Sequence, residues 1–284
     1  MLRKLLKYDL KSVFKIWWIM SISILSISVV GGLAFRNILI NTDNYNYFPT
    51  WEFLAIVLTV LSFAAFITVT YILVYVRYYK NFFSDEGYLT FTLPVTRAKL
   101  LLSKLLNAMN WEFACMIVMG AGLVIILALI PCDETYSSML TFIISEAKNL
   151  ISEAFNEIGI WFPVYILLIC IAIVFISAAN QLFIYLCITI AAVIAKKHKV
   201  LAAVGIVYGT NIVLSFIFQI FSIGWLFIAD AAASAFPSLP EMNEPESYIF
   251  VFCLLLLVCV IAALVAVTMG FITLSNLERK LNLA

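Results

Sequence analysis

The sequence predicts an all-α membrane protein with six transmembrane helices. Of its 284 residues, 65% are hydrophobic and 12% are charged, whereas a soluble domain is about 45–50% apolar and about 25% charged. The apolar residues are concentrated in six long stretches, and basic residues cluster on alternate connections between them. A membrane barrel would instead show alternating segments of about ten residues, so the pattern predicts helices.

Each apolar stretch reaches the length of about 20 residues that a helix needs to cross about 30 Å of hydrocarbon. The predicted spans are residues 16–35, 53–76, 111–130, 161–195, 200–228 and 248–274. The fourth and fifth are longer than this minimum. We therefore expect them to tilt or to extend beyond the bilayer on the cytoplasmic side.

The distribution of charge predicts that both ends of the chain are cytoplasmic. Of the 17 basic residues, 15 lie on one side of the spans: Arg3, Lys4, Lys7, Lys11, Lys15, Arg77, Lys80, Arg97, Lys99, Lys104, Lys196, Lys197, Lys199, Arg279 and Lys280. The other side has only Arg36 and Lys148, with 11 of the 16 acids. Cytoplasmic connections carry the excess of Lys and Arg. The net charge of +1 gives no electrostatic support for nucleic-acid binding.

Residues 1–15 predict a basic amphipathic helix before the first span. Their apolar residues follow helical spacing, and most of the lysines fall away from that face. A helix of this kind lies in the inner membrane interface. The segment can equally be a basic anchor that sets the topology, and the two interpretations are compatible.

The cytoplasmic connection between the second and third spans, residues 77–106, predicts a short helix. Ser84 is suited to cap it, with Asp85 and Glu86 favourable in its first turn. Pro94 ends the element, because the residue before a proline is pushed out of helical geometry. The apolar surface of this helix is formed by Leu89, Phe91 and Leu93.

A second helix is predicted to follow, capped by Thr96 and running through Lys104 into the third span. Two interpretations of the connection stay open from its residues alone. It is either an amphipathic loop lying on the bilayer or a short helix seated in a groove of another protein.

The outer connection 132–160 predicts an amphipathic helix over residues 138–158. Its apolar residues form a helical stripe, and Glu146, Lys148, Glu153 and Glu157 lie mostly opposite. The helix can pack on neighbouring spans or form part of an outer vestibule wall.

Polar residues interrupt the fourth and fifth spans. They include the candidate pathway-lining residues Asn180, Gln181, Asn211, Ser215 and Gln219. Amides are costly in lipid, so these side chains are expected to face protein or water, either in hydrogen bonds between helices or along a pathway. No acid or base lies near the middle of a span, which argues against a proton-driven secondary transporter.

The sequence predicts neither a catalytic residue nor a metal site. The single histidine, His198, lies in a lysine-rich turn, and there is no HExxH motif. The six cysteines form no CxxC pair, and five of them lie in apolar stretches, so they are interpreted as small apolar side chains.

The stretch 86–97, Glu-Gly-Tyr-Leu-Thr-Phe-Thr-Leu-Pro-Val-Thr-Arg, together with the Leu-Leu-Leu-Ser-Lys-Leu-Leu run at 100–106, resembles a family signature. It is similar to that of type-2 ABC exporter permeases, in which an acid and a Gly-Thr or Gly-Tyr pair precede Leu-Pro-Val-Ser/Thr-Arg, followed by a Leu-rich Gly/Ser-Lys-Leu-Leu run. Residues 2–11 also resemble the N-termini of small permeases from Gram-positive bacteria.

The resemblance implies that the second–third loop is a coupling helix that contacts a nucleotide-binding subunit, and that residues 1–15 are the elbow helix. The residues implied to contact the ATPase subunit are Asp85, Glu86, Gly87, Tyr88, Leu89, Phe91 and Pro94. The two acids would meet basic groups, Leu89 or Phe91 would fill a groove, and Gly87 would permit close backbone approach. The resemblance also implies a re-entrant hairpin in the outer, partly acidic loop 229–247.

The same resemblance implies the partners. The chain contains no GxxxxGK[ST] motif, so ATP and Mg are expected in a separate ATPase subunit and no cofactor in this chain. A second permease chain, identical or a paralogue, would complete the transporter in a bacterial cytoplasmic membrane. All 284 residues would form a single permease domain.

The cargo is expected to be amphipathic or lipophilic, because the apolar interior is rich in aromatic residues. The resemblance to small Gram-positive permeases favours a cytolytic peptide such as a phenol-soluble modulin, or an antimicrobial peptide. A drug, a lipid or a polysaccharide is the alternative cargo. The absence of a large extracellular domain argues against the bacitracin-detoxification branch of the family. The alternative to an ABC exporter is a non-ABC membrane scaffold or a secondary transporter.

Overall fold

The computed structural model describes residues 2–41, 50–84, 87, 92, 95–132, 138–195, 199–235 and 244–279, and these residues contain seven α-helices and no strand. In chain order they are α1 (Leu2–Ile40), α2 (Thr50–Phe83), α3 (Arg97–Leu129), α4 (Met139–Ile158), α5 (Trp161–Ile194), α6 (Lys199–Ala235) and α7 (Glu244–Arg279). Six of them, all except α4, are long and apolar enough to cross a membrane. The predicted all-α fold with six span-sized apolar helices is therefore confirmed.

The helices α2 and α3 continue well beyond the predicted spans 53–76 and 111–130. The first ends at Phe83 and the second begins at Arg97, so most of the predicted connection 77–106 is helical. Only residues 84–96, here called the 84–96 loop, link the two helices. Thr96 occupies the predicted N-cap position with extended backbone, although its side chain makes no capping hydrogen bond.

Helix α1 runs without a break from Leu2 to Ile40. The expected boundary between an elbow helix at residues 1–15 and a span from residue 16 is therefore not a helix end. No glycine or proline occurs before Gly31 to interrupt the helix. The buried stripe of Val13, Trp17 and Ile24 also continues across the expected boundary.

Helix α4 matches the predicted outer amphipathic helix. It begins with a capping box, in which the Ser138 side chain accepts from the Thr141 backbone N–H at 3.4 Å and Thr141 Oγ1 accepts from the Ser138 N–H at 3.3 Å. It ends at Gly159, whose φ of 61° lies in the region that favours glycine. None of its residues is buried, and apolar side chains such as Leu150 and Phe155 are exposed.

The predicted outer loop 229–247 is partly helical. Residues 229–235 continue α6, and residues 244–247 begin α7. Residues 236–243 lie outside the described part of the chain, so the re-entrant hairpin stays a prediction.

The chain divides into two compact units, residues 1–159 (unit 1) and 160–284 (unit 2). In unit 1, α1 packs extensively against both α2 and α3, while α2 and α3 touch each other much less. Helices α1 and α3 are parallel, because the Trp17 ring lies 5.0 Å from that of Trp111 in a tilted arrangement while Ser28 lies beside Gly122 further along both helices. Their contact face is called the α1–α3 seam.

Helix α2 runs antiparallel to α1. Phe66 lies 6.1 Å from Trp17 between ring centroids, and Thr59, earlier in α2, lies against Gly31, later in α1. The end of α2, the beginning of α3 and the beginning of α1 therefore share one end of unit 1. This is the end predicted to be cytoplasmic.

Unit 2 has α5 at its centre, packed against α7 and, less extensively, against α6. Helices α5 and α7 are parallel: Trp161 packs edge-on against Phe252 at 5.7 Å, and Leu182 lies against Gly270. Their contact face is called the α5–α7 seam. Helix α6 returns antiparallel to α5, and Thr210 Oγ1 lies 3.6 Å from Cys187 Sγ.

Candidate functional site

The three helices of unit 1 meet at one end in a buried cluster of charged and polar side chains, formed by Asp9, Arg77, Asn81 and Lys104 and here called the basal cluster. The Lys104 ammonium donates to Asp9 Oδ2 at 2.5 Å, and Asn81 Nδ2 donates to Asp9 Oδ1 at 3.3 Å. Arg77 Nε lies 3.9 Å from Asp9 Oδ1. One carboxylate of α1 thus binds groups from both α2 and α3.

The basal cluster is almost fully removed from solvent. Asp9 and Asn81 are each 5% exposed and Lys104 is 6% exposed, while the Arg77 side chain reaches outward at 31% exposure. A buried charge is costly unless it is paired and hydrogen-bonded. The two oxygens of Asp9 satisfy this requirement through Lys104 and Asn81.

Aromatic and aliphatic side chains enclose the same end of unit 1. Tyr78 and Leu100 are each 1% exposed, and Phe82 is fully buried with its ring 5.0 Å from that of Tyr78. These residues come from the last turns of α2 and the first turn of α3. The two helix ends that border the 84–96 loop are therefore well packed.

The 84–96 loop leaves α2 in a tight turn. The Ser84 hydroxyl donates to the Lys80 carbonyl at 2.5 Å, and the Gly87 N–H donates to the Ser84 carbonyl at 2.7 Å. Gly87 is buried, and a Cβ added to it would lie 2.9 Å from the Phe82 carbonyl oxygen. Close backbone approach at Gly87 therefore occurs within the chain itself, against the end of α2.

Most of the residues that the resemblance implies for ATPase contact lie outside the described residues. These are Asp85, Glu86, Tyr88, Leu89, Phe91 and Pro94. Gly87 alone among the seven is described. The basal cluster nevertheless fixes where the two ends of the loop are anchored.

A second group of buried polar atoms continues the α1–α3 seam beyond the basal cluster. The indole nitrogens of Trp17 and Trp111 and the Oδ1 atom of Asn107 are buried and have no hydrogen-bond partner in the structure. Asn107 lies one turn after Lys104 and one turn before Trp111 on α3. The seam therefore keeps a polar character for several turns from the basal end.

Helices α2 and α3 also make a direct polar contact further from the loop. The Tyr71 hydroxyl donates to Glu112 Oε1 at 3.2 Å, in a partly buried position. This contact joins the same two helices as the basal cluster does but does not involve α1.

The candidate pathway residues separate into two groups. Gln181 is 1% exposed on α5, whereas Asn180 on α5 and Asn211, Ser215 and Gln219 on α6 are exposed in the single chain. Two of them bond within their own helix: Asn211 Nδ2 donates to the Val207 carbonyl at 2.7 Å, and the Ser215 hydroxyl donates to the Asn211 carbonyl at 2.6 Å. Internal bonds of this kind lower the cost of facing lipid.

The sequence analysis did not single out Asp9 or Asn81, and it did not predict that Lys104 pairs with an acid. The structure adds these three residues as functional candidates. The sequence carries one signal that points to them. Asp9 is the single acid in the first forty residues, and Arg3, Lys4, Lys7, Lys11 and Lys15 surround it. An acid in a segment where basic residues set the topology indicates a specific partner.

The thiols give no sign of a cross-linked or catalytic site. All six cysteines are free; Cys115, Cys187 and Cys259 are buried, Cys132 is half-buried, and Cys170 and Cys253 are exposed. His198 lies outside the described residues. The chemistry available at the basal cluster is charge pairing that holds helices together.

Comparison of the chain with protein-family models, with curated proteins and with solved structures finds no match.

Proposed function

We propose that this chain is the transmembrane subunit of a type-2 ABC exporter, driven by ATP hydrolysis in a separate subunit. The observation that carries the proposal is the sequence of residues 86–106, which resembles the coupling-helix signature of that family. The segment begins in a loop between two long helices whose ends are anchored together in the basal cluster. A loop in this position is suited to transmit a movement of a bound partner to the two spans that it connects.

In the proposed mechanism, two permease chains surround a translocation path and an ATPase subunit binds below each 84–96 loop. ATP and Mg bind in that subunit, and ATP binding draws the two ATPases together. Each loop then moves with its partner, and α2 and α3 change position as packed elements. The second permease chain is a copy of this one or a paralogue.

The proposed cargo is an amphipathic peptide of the cytolytic or antimicrobial kind. The support comes from the family resemblance and from the aromatic content of the chain, with 23 Phe, 13 Tyr and 6 Trp. Aromatic side chains present large apolar surfaces and suit a cargo that has an apolar face.

The first test is a pull-down of the chain from its native membrane in mild detergent, followed by mass spectrometry and an ATP hydrolysis assay. The proposal predicts recovery of a subunit with a Walker motif in roughly equal amount. An active preparation without such a subunit would contradict it and leave a scaffold or a secondary transporter.

The second test replaces Asp85, Glu86 and Phe91 by alanine, one at a time, in the assembled complex. Each change should lower cargo-stimulated ATP hydrolysis by about tenfold, which corresponds to about 1.4 kcal/mol of lost interaction. The matched control is Glu153→Ala, which removes an exposed acid from α4 and should have no effect. Equal activity in all four variants would contradict the assignment of the loop.

A further inference from the structure

Asp9 carries a charge that is buried, and burial of a charge costs free energy unless the charge is paired. An apolar side chain of similar size packed at such a site is often as stabilising as an ion pair, because desolvation offsets much of the attraction. A buried ion pair does, however, restrict how elements fit together, since its charges are satisfied in one arrangement only. At Asp9 that arrangement involves Lys104 and Asn81 from two different helices.

The contacts of unit 1 show what this arrangement controls. Helices α2 and α3 touch each other little, and each packs mainly on α1. A force applied to the 84–96 loop reaches the last turn of α2 and the first turn of α3 directly. For those two ends to move together with the rest of unit 1, they must be held by the beginning of α1.

The basal cluster holds the beginning of α1 to these two helix ends. Slippage of α1 by one turn, about 5.4 Å, would carry the Asp9 carboxylate out of reach of Lys104 Nζ, which lies 2.5 Å away, and of Asn81 Nδ2 at 3.3 Å. It would leave the Lys104 ammonium, 6% exposed, without that carboxylate. The cost of separating the two charges opposes any such slippage.

We infer that Asp9 is a positioning residue that clamps the beginning of α1 to the two helix ends bordering the 84–96 loop, so that α1, α2 and α3 respond to the loop as one body. Lys104 is the principal partner of Asp9 in the clamp, and Asn81 and Arg77 orient its second oxygen. The transmission role rests on the proposed exporter function. The clamp itself rests on the contacts of unit 1.

The test uses the full chain purified with its ATPase subunit and reconstituted in lipid nanodiscs or vesicles. Three variants are compared with the parent: Asp9→Asn, the exchange Asp9→Lys with Lys104→Asp, and the control Glu112→Gln. The control weakens the Tyr71–Glu112 contact, which joins α2 to α3. Two quantities are measured, the midpoint of thermal unfolding and the amount of cargo moved per ATP hydrolysed.

Asp9→Asn should lower the midpoint by roughly 5–10 °C, because it removes the carboxylate charge that pairs with the buried Lys104 ammonium. It should also lower cargo moved per ATP by about tenfold, while the ATPase subunit is still recovered. The exchanged pair should recover part of both losses, since it restores opposite charges at the same two positions but places the new lysine beside Arg77 and Asn81 Nδ2. Glu112→Gln should leave cargo moved per ATP at the parent value.

The outcomes separate the two proposals. An unchanged midpoint in Asp9→Asn would overturn the clamp. A lower midpoint with unchanged cargo per ATP would reduce the pair to a structural contact and overturn its positioning role, with the exporter function intact. If no ATPase subunit is recovered with the parent chain, the exporter function and the transmission role are both contradicted. The thermal midpoints of Asp9→Asn and of the exchanged pair then still test whether the clamp stabilises unit 1.

Discussion

The two units of the chain use the same arrangement of three long helices but fill the seam between the first and third helix differently. In each unit these two helices run parallel in close contact, and the second helix packs antiparallel on the first. The α1–α3 seam of unit 1 ends in the charged basal cluster. In the described part of unit 2, the buried polar side chains on α5 and α7 are neutral: Ser177, Gln181, Thr189 and Thr273.

The hydroxyls of unit 2 also behave differently from the charges of unit 1. Thr189 donates to the Tyr185 carbonyl and Thr273 to the Met269 carbonyl, each at 2.7 Å within its own helix. These two bonds run along a single helix, whereas the Asp9–Lys104 pair joins α1 to α3. The charged pair therefore holds α1 and α3 in register at one end of unit 1, and that end borders the 84–96 loop.

The largest expected difference between the units comes from removing one buried polar group in each. Lys104→Met removes the nearer of the two cations from the buried Asp9 carboxylate and leaves Arg77 Nε at 3.9 Å. It should lower the free energy of unfolding by up to about 3–5 kcal/mol. Gln181→Met, which makes the same kind of change at a 1% exposed site in unit 2, should cost about 0.6 kcal/mol. Unfolding of the two variants by SDS titration in mixed micelles measures both values, and similar costs would contradict the contrast.

A smaller difference is expected from adding one methyl group to each seam. A Cβ on Gly122 would lie 2.7 Å from Ser28 Oγ and 2.8 Å from Phe63 Cζ, whereas a Cβ on Gly270 would lie 3.6 Å from Leu182. Gly122→Ala should therefore cost about 1–3 kcal/mol by overpacking. Gly270→Ala should be neutral or stabilising by up to about 1 kcal/mol, since alanine is the better helix former.

Gly120→Ala is the matched control for the seam experiment, because Gly120 lies on the same helix as Gly122 and a Cβ there meets nothing within 4 Å. It should be no less stable than the parent in the same SDS titration. Loss of stability in Gly120→Ala equal to that in Gly122→Ala would show that helix α3, and not the seam, is sensitive to the change.

The smallest difference is expected from tyrosine hydroxyls that join helices. Tyr71 donates to the Glu112 carboxylate in unit 1, and Tyr165 donates to the Tyr248 carbonyl at 2.8 Å in unit 2. Tyr165→Phe should cost about 0.6 kcal/mol, and Tyr71→Phe up to about 1.7 kcal/mol because its acceptor is a carboxylate. The midpoint of thermal unfolding in detergent ranks the two, and the reverse order would argue against charge as the distinguishing feature of unit 1.

The sequence predicted the number and class of the helices well, because crossing a bilayer demands a length of apolar residues that composition reveals. The fourth span was predicted as 161–195, and α5 is Trp161–Ile194. The end of α2 was underestimated because Arg77 and Lys80 were counted as loop charges, although long charged side chains can lie along a helix that continues beyond the apolar stretch. The start of α3 was predicted correctly from Thr96, which is its N-cap residue.

The basal cluster could not be predicted in the same way. Its members are separated by up to 95 residues along the chain, and charge counting treats Lys104 as one more basic residue that sets topology. Pairing depends on which faces of three helices meet, which hydropathy does not encode. The isolated acid Asp9 was the only local indication of the cluster in the sequence, and it does not identify the residue that pairs with it.

The separation between Asp9 and Lys104 also has a consequence during synthesis. A ribosome adds about 5–20 residues per second, so the 95 residues between the two take about 5–20 s to make. For that interval the Asp9 carboxylate has no Lys104 to bind, and Asn81 arrives earlier, after 72 residues. We therefore expect the beginning of α1 to stay hydrated while α2 and α3 emerge, and the five basic residues around Asp9 to favour the membrane surface until Lys104 has been made.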